Sequence, residues 1–105
     1  MGLPEIGEAE LIAMMRAGTG KAAVLFHTPF CGTCKLAERM LEIAKAASVS
    51  ADLYKLNINF APAVTAEWKI SSVPSLALLK DGKLLRLEYT MQSVDYLYAL
   101  LKTLD

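Results

Sequence analysis

An apolar run, Val24-Leu25-Phe26, breaks at Thr28-Pro29 and delivers both cysteines of the chain as Cys31-Gly32-Thr33-Cys34. No other stretch restricts the fold as much. The run reads as a buried strand, and from Lys35 the pattern turns helical. Ala37, Met40, Leu41, Ala44 and Ala47 recur at the spacing of one helix face. Lys35, Glu38, Glu42 and Lys45 fall on the other face. Cys31 is therefore expected at the mouth of a helix, on a strand–loop–helix corner, with Cys34 in the first turn.

That placement carries chemistry. A helix N-terminus presents unsatisfied N–H groups and the positive end of the macrodipole, so it favours thiolate over thiol. Thiolate is the attacking species in disulfide exchange, and the first cysteine of such a motif has a lowered pKa. Cys34, three residues on, is within reach of a mixed disulfide formed at Cys31. Gly32 leaves the attacking sulfur without a neighbouring side chain. A C-x-x-C at a βα junction reads as a redox motif.

Bulk properties narrow the class. With 105 residues, 54% of them apolar, the chain is expected to be one domain over residues 1–105 with a real core. Eleven basic and eleven acidic residues cancel, which argues against nucleic acid and anionic lipid as partners. Glu5, Glu8 and Glu10 precede the first basic residue, Arg16, the reverse of a signal peptide's start. The longest uncharged stretch, Ala22 to Cys34, is interrupted by Pro29 and is too short to span a membrane. The expectation is a cytoplasmic monomer. In a reducing compartment a close cysteine pair is catalytic or metal-binding rather than a staple.

Along the chain, residues 1–7 read as a loop or short edge strand. Glu8 to Ala17 is a helix ended by Gly18 and Gly20. Lys21 to His27 is a strand apolar on both faces and therefore central. A long helix over about Gly32 to Ala47 follows, then a strand over Asp52 to Ile58. Phe60 to Trp68 reads as a short helix with Pro62 in its first turn. Ser75 to Lys80 and Lys83 to Tyr89 flank Asp81-Gly82 as a hairpin. A last helix runs from about Ser93 to Leu104, capped by Ser93. Trp68 is expected in the core or under the Val73-Pro74 loop.

The element order, the C-G-x-C corner, and Val73-Pro74 before a strand leading to the Asp81-Gly82 hairpin together resemble the thioredoxin family, from Lys21 onward. The resemblance implies an α/β thioredoxin-like fold: a mixed sheet of order β2-β1-β3-β4 with helices on both faces. It also implies a cis Val73–Pro74 bond beside the cysteines and an extended substrate held through main-chain bonds. Departures are concentrated at the corner. Leu25 stands where thioredoxins carry a buried Asp, and His27 and Phe30 stand at two Trp positions. Arg39 replaces a helix-kinking Pro, Thr33 replaces the Pro of the motif, and Thr90 replaces a Gly. Lys55 matches the family's Lys.

The function expected is thiol–disulfide exchange on protein substrates. Cys31 attacks, Cys34 resolves, and an external reductant such as a thioredoxin reductase or a low-molecular-weight thiol restores the dithiol. No bound cofactor is needed. Phe30, Gly32, Thr33, Val73, Pro74, Thr90 and Met91 are the expected substrate-facing residues. His27 and Lys55 are candidates for handling the Cys34 proton; packing and snorkelling are their ordinary alternatives. Two readings of other classes stay open. One is a metal or iron–sulfur half-site completed across a dimer, since zinc needs four ligands and this chain supplies two Cys and His27. The other is a non-catalytic binding module with an uncharged collar around Cys31.

Overall fold

Lys21–His27 forms a strand, β1, buried on both faces. The computed structural model describes residues 2–105; Met1, in the expected N-terminal loop, lies outside the described residues. Strand side chains alternate between faces, and the alternation of β1 sorts the whole interior. Ala23 and Leu25 join one core, with Leu76 and Leu78 beside them; Ala22, Val24 and Phe26 join the other, with Ala77 and Leu79.

Helices complete each side. Gly32–Ala46 (α2) contributes Ala37, Leu41 and Ala44 to the first core, and Val94–Lys102 (α4) contributes Leu97, Leu100 and Leu101. Glu8–Ala17 (α1) and Pro62–Trp68 (α3) cover the other face through Leu11 and Val64. Trp68 packs edge-on against Phe26, ring centroids 6.0 Å apart and planes at 82°.

Asp52–Asn57 (β2) runs parallel to β1, while Ser75–Lys80 (β3) and Lys83–Glu88 (β4) are antiparallel, giving the order β2-β1-β3-β4. This is the expected mixed sheet. Most element ends fall within one or two residues of the sequence reading. The stretch after β2 differs, where Ile58–Phe60 closes into a single 3-10 turn before α3 starts at Pro62. Pro lacks an N–H and is pre-set for the helix, so it marks the first helical position rather than an interior one.

Of the loop and the short edge strand expected for the N-terminal segment, residues 4–6 take the strand-like form. Lys55 N–H donates to Pro4 O and Ile6 N–H to Lys55 O, both at 2.9 Å, which lays residues 4–6 as a strap along β2. A second difference concerns α2. Lys45 does not point to solvent but donates to Val49 O (3.0 Å) and Ala51 O (2.8 Å), tying the helix end to the loop before β2.

The β3–β4 turn places Asp81 at φ 53° and Gly82 at φ 79°, so both central residues are left-handed, as a tight hairpin of this twist requires. Gly82 also abuts α1: a Cβ there would collide with Met15 O and lie 2.9 Å from Gly18 Cα. Gly82→Ala is therefore expected to destabilise the fold by about 2 kcal/mol or more. Urea unfolding checks this as a lower midpoint at unchanged slope.

Candidate active site

The corner between β1 and α2 is built by chain punctuation. β1 ends at His27, Thr28-Pro29 carry the chain off the sheet, and Cys31 becomes the N-cap of α2. An N-cap side chain normally supplies an oxygen to an orphan N–H of the first turn; here Cys31 Sγ accepts from Cys34 N–H at 3.1 Å. The Thr33 hydroxyl lies 3.3 Å from the same sulfur. Cys31 and Cys34 are joined as a disulfide with Cα atoms 5.1 Å apart. Cys31 is partly exposed, whereas Cys34 is 2% exposed.

Around the sulfurs the structure brings some expected residues together and leaves others apart. Thr33, Pro74, Thr90 and Met91 line one groove of about 380 Å3. The Val73–Pro74 peptide is cis. Phe30 is 99% exposed, and Phe30, Gly32 and Val73 do not line the groove. Leu36, Met40 and Tyr89 do line it, and the sequence reading missed them. For Leu36 and Met40 a signal existed, since they follow Thr33 at helical spacing on α2. Tyr89 had none. Its hydroxyl accepts from Ser71 N–H at 3.2 Å, tying the loop before Pro74 to the end of β4.

One wall of this groove rests on a buried carboxylate. Glu88 accepts Thr90 N–H (3.0 Å), the Tyr96 hydroxyl (2.6 Å) and the Arg86 guanidinium (2.6 Å). Burial pushes the Glu88 carboxyl up, but bonds from Tyr96, Thr90 and Arg86 outweigh it, so it titrates below the ordinary value. The same bond to Glu88 raises the Tyr96 phenol.

On the opposite side, the two proton-handling candidates are both paired. His27 Nε2 lies 3.0 Å from Glu5 Oε2. Lys55 Nζ reaches Glu38 Oε2 at 3.0 Å and Oε1 at 3.3 Å. Glu38 thus does not follow the outer-face pattern of α2: its side chain is 16% exposed and also accepts Leu3 N–H at 2.7 Å. Leu25 is buried in the α2–α4 core. Among the described residues no three His, Cys, Asp or Glu side chains gather as a metal site. No described helix is long and apolar enough to cross a membrane.

A family model for thioredoxin matches residues 8–103. The chain belongs to the thioredoxin family. It is 42% identical over 76 residues to the thioredoxin-like protein YusE of Bacillus subtilis, an alignment covering 72% of each chain. A thioredoxin of Staphylococcus aureus is 29% identical over 84 residues, 79% of each chain. Among solved structures, a thioredoxin variant from Halobacterium salinarum superposes at TM-score 0.81 and 24% identity, covering 96% of this chain and 88% of that one. A designed protein reaches 0.82 at 20% identity, covering 99% and 98%. Those two similarities establish the fold.

With the cysteine pair at the active-site position, this thioredoxin-family chain is a thiol–disulfide oxidoreductase. Its substrates are protein disulfides, and a reductant restores its dithiol.

Glu88→Gln tests the groove wall. The variant loses the charge that three donors surround and is expected to be about 1–2 kcal/mol less stable at pH 7. Because the folded-state pKa is depressed, the wild-type advantage is complete above the ordinary value of 4.5 and disappears as pH falls through the folded value. Urea unfolding should show a constant gap between about pH 6 and 8 that narrows below about pH 4.5.

Proposed function

We propose that Cys31 is the nucleophile toward protein disulfides and Cys34 the resolving cysteine, in a single domain spanning residues 1–105. The observation that carries this assignment is the asymmetry of the pair. Cys31 is the more accessible of the two, partly exposed at the N-cap of α2 and already accepting Cys34 N–H at 3.1 Å, and Cys34 is 2% exposed. The donors that surround Cys31 Sγ favour its thiolate. Attack breaks the substrate S–S bond, forms a Cys31–substrate disulfide and expels one substrate thiolate. Cys34 then closes on Cys31 and releases the second. Two electrons pass from dithiol to substrate.

The substrate lies extended across the corner. Thr33, Pro74, Thr90 and Met91 form the groove, and Phe30, Gly32 and Val73 border the exposed sulfur. The Val73 main chain pairs with the incoming strand, which makes capture tolerant of sequence. The protein works as a monomer in the cytoplasm and is re-reduced by a thioredoxin reductase or a low-molecular-weight thiol. It needs no bound cofactor.

Trapping tests the roles. Cys34→Ser should accumulate mixed disulfides with partner proteins, resolved on non-reducing gels, and Cys31→Ser should not. Capture by Cys31→Ser in preference to Cys34→Ser overturns the assignment.

Thr33 gives a second test. A hydroxyl 3.3 Å from Cys31 Sγ stabilises the thiolate by donating to it, and whatever stabilises the reduced form makes the disulfide more oxidising. Thr33→Val should lower the potential by about 10–30 mV, equivalent to roughly 0.5–1.5 kcal/mol. Equilibration against glutathione measures it, and an unchanged value removes the hydroxyl from the account.

A further inference from the structure

Cys34 starts resolution as a buried thiol, and its proton must leave for its sulfur to attack. Leu25, 1% exposed in the α2–α4 core, carries no acceptor. Beside Cys34 lies a cavity of about 120 Å3 whose other walls include His27, Lys35, Glu38 and Lys55. Polar side chains line part of it, and it is large enough to hold water. Glu38 is the carboxylate among its lining residues.

Position on the helix explains why. Glu38 follows Cys34 by four residues on α2, and side chains four apart share a face and lean toward the helix N-terminus. The carboxylate is therefore carried back over the turn that holds Cys34. It is held there from two directions, by Lys55 Nζ at 3.0 Å and 3.3 Å and by Leu3 N–H at 2.7 Å. Lys55 is itself fixed by the backbone bonds of the 4–6 strap. The other charged groups around the carboxylate are His27 of β1 with its partner Glu5, and Lys35, Arg39 and Glu42 of α2. An ammonium has donors only, and the His27 Nε2 faces Glu5.

We propose that Glu38, held by Lys55 and the Leu3 N–H, receives the Cys34 proton across this cavity during resolution. The proposal rests on Cys31 being the nucleophile. In the mixed disulfide the Cys34 thiol gives its proton to the Glu38 carboxylate, directly or through water in the cavity. Its sulfur pair forms the bond to Cys31 Sγ. The bond between Cys31 and the substrate sulfur breaks with its electron pair on the substrate, which takes a proton from solvent. Glu38 returns its proton to solvent, and no outside oxidant enters the step. The acceptor thus sits on the same helix as the resolving sulfur rather than on the strand beneath it.

Stopped-flow reaction of the reduced protein with an aromatic disulfide that releases thionitrobenzoate separates the two events. Attack by Cys31 gives the first release and closure by Cys34 the second. Glu38→Gln should slow the second release at least about tenfold at pH 7 and leave the first unchanged. The deficit should narrow as pH rises and a growing fraction of Cys34 ionises unaided. Glu38→Asp should recover part of the rate. Because Glu38→Gln leaves a half-buried ammonium unpaired, Glu38→Gln with Lys55→Met is measured beside it, and should be as slow while folding well. An unchanged second release in Glu38→Gln or in the double variant overturns the proposal. So does equal slowing of both releases, or a slow second release in His27→Ala with normal kinetics in Glu38→Gln. A wild-type protein that gives only one release, retaining the adduct, would instead overturn the assignment of Cys34 as resolver.

Discussion

Burial of β1 on both faces is the constraint on which everything else depends. Its alternate residues supply two cores, and each pair of helices packs on one of them. The cysteine corner is located because β1 stays paired in the sheet up to His27 and the chain then leaves it. A polar group on such a strand must be desolvated with little around it to bond. Domains of this size keep only about 5–15 kcal/mol of net stability, so one such group is a large fraction of the total. Leu25, on the face of β1 that α2 and α4 cover, avoids that penalty. Near the sulfurs, charge lies instead on α2 and β2, at the edge of the core, where Glu38 and Lys55 are partly exposed.

Two polar networks then flank the sulfurs, and they differ in kind. Under Thr90, Glu88 is surrounded by donors and has one stable state near neutrality. Its work is geometric, setting the backbone that forms a groove wall. Beside Cys34, the Glu38–Lys55 pair borders a cavity rather than being enclosed by donors. Tyr89 links the remaining wall to the loop before Pro74. The groove is therefore framed by three separate segments, two of them tied together by the Tyr89–Ser71 bond.

Much of this was legible in the sequence because punctuation was dense. Gly18 and Gly20 stop α1, Thr28-Pro29 ends β1, and Asp81-Gly82 turns the hairpin. The cysteine pair marked the corner between β1 and α2 for the same reason. Glu38 was not legible as anything but a surface residue. Lys35, Arg39 and Glu42 surround it in sequence, and the groups that draw it inward, Lys55 and the Leu3 N–H, come from distant parts of the chain. Lys45 was misread likewise, its acceptors being the carbonyls of a loop. Long side chains at the boundary of an amphipathic helix take their direction from tertiary partners, which periodicity does not encode.

The strap of residues 4–6 has a consequence for how the molecule meets other chains. A protein that captures extended segments must offer open backbone at one place and withhold it elsewhere. β2 is an outer strand of the sheet, and an uncovered outer strand is a template for indiscriminate pairing. Pro4 O and Ile6 N–H occupy the outward-facing groups of Lys55, and Pro4 itself has no N–H with which to extend the ladder further. At the far margin, β4 carries Lys83 and Arg86, and the shift in register between Leu78 and Leu79 interrupts its pairing with β3. Both margins of the sheet are thereby poor landing places for a stray strand.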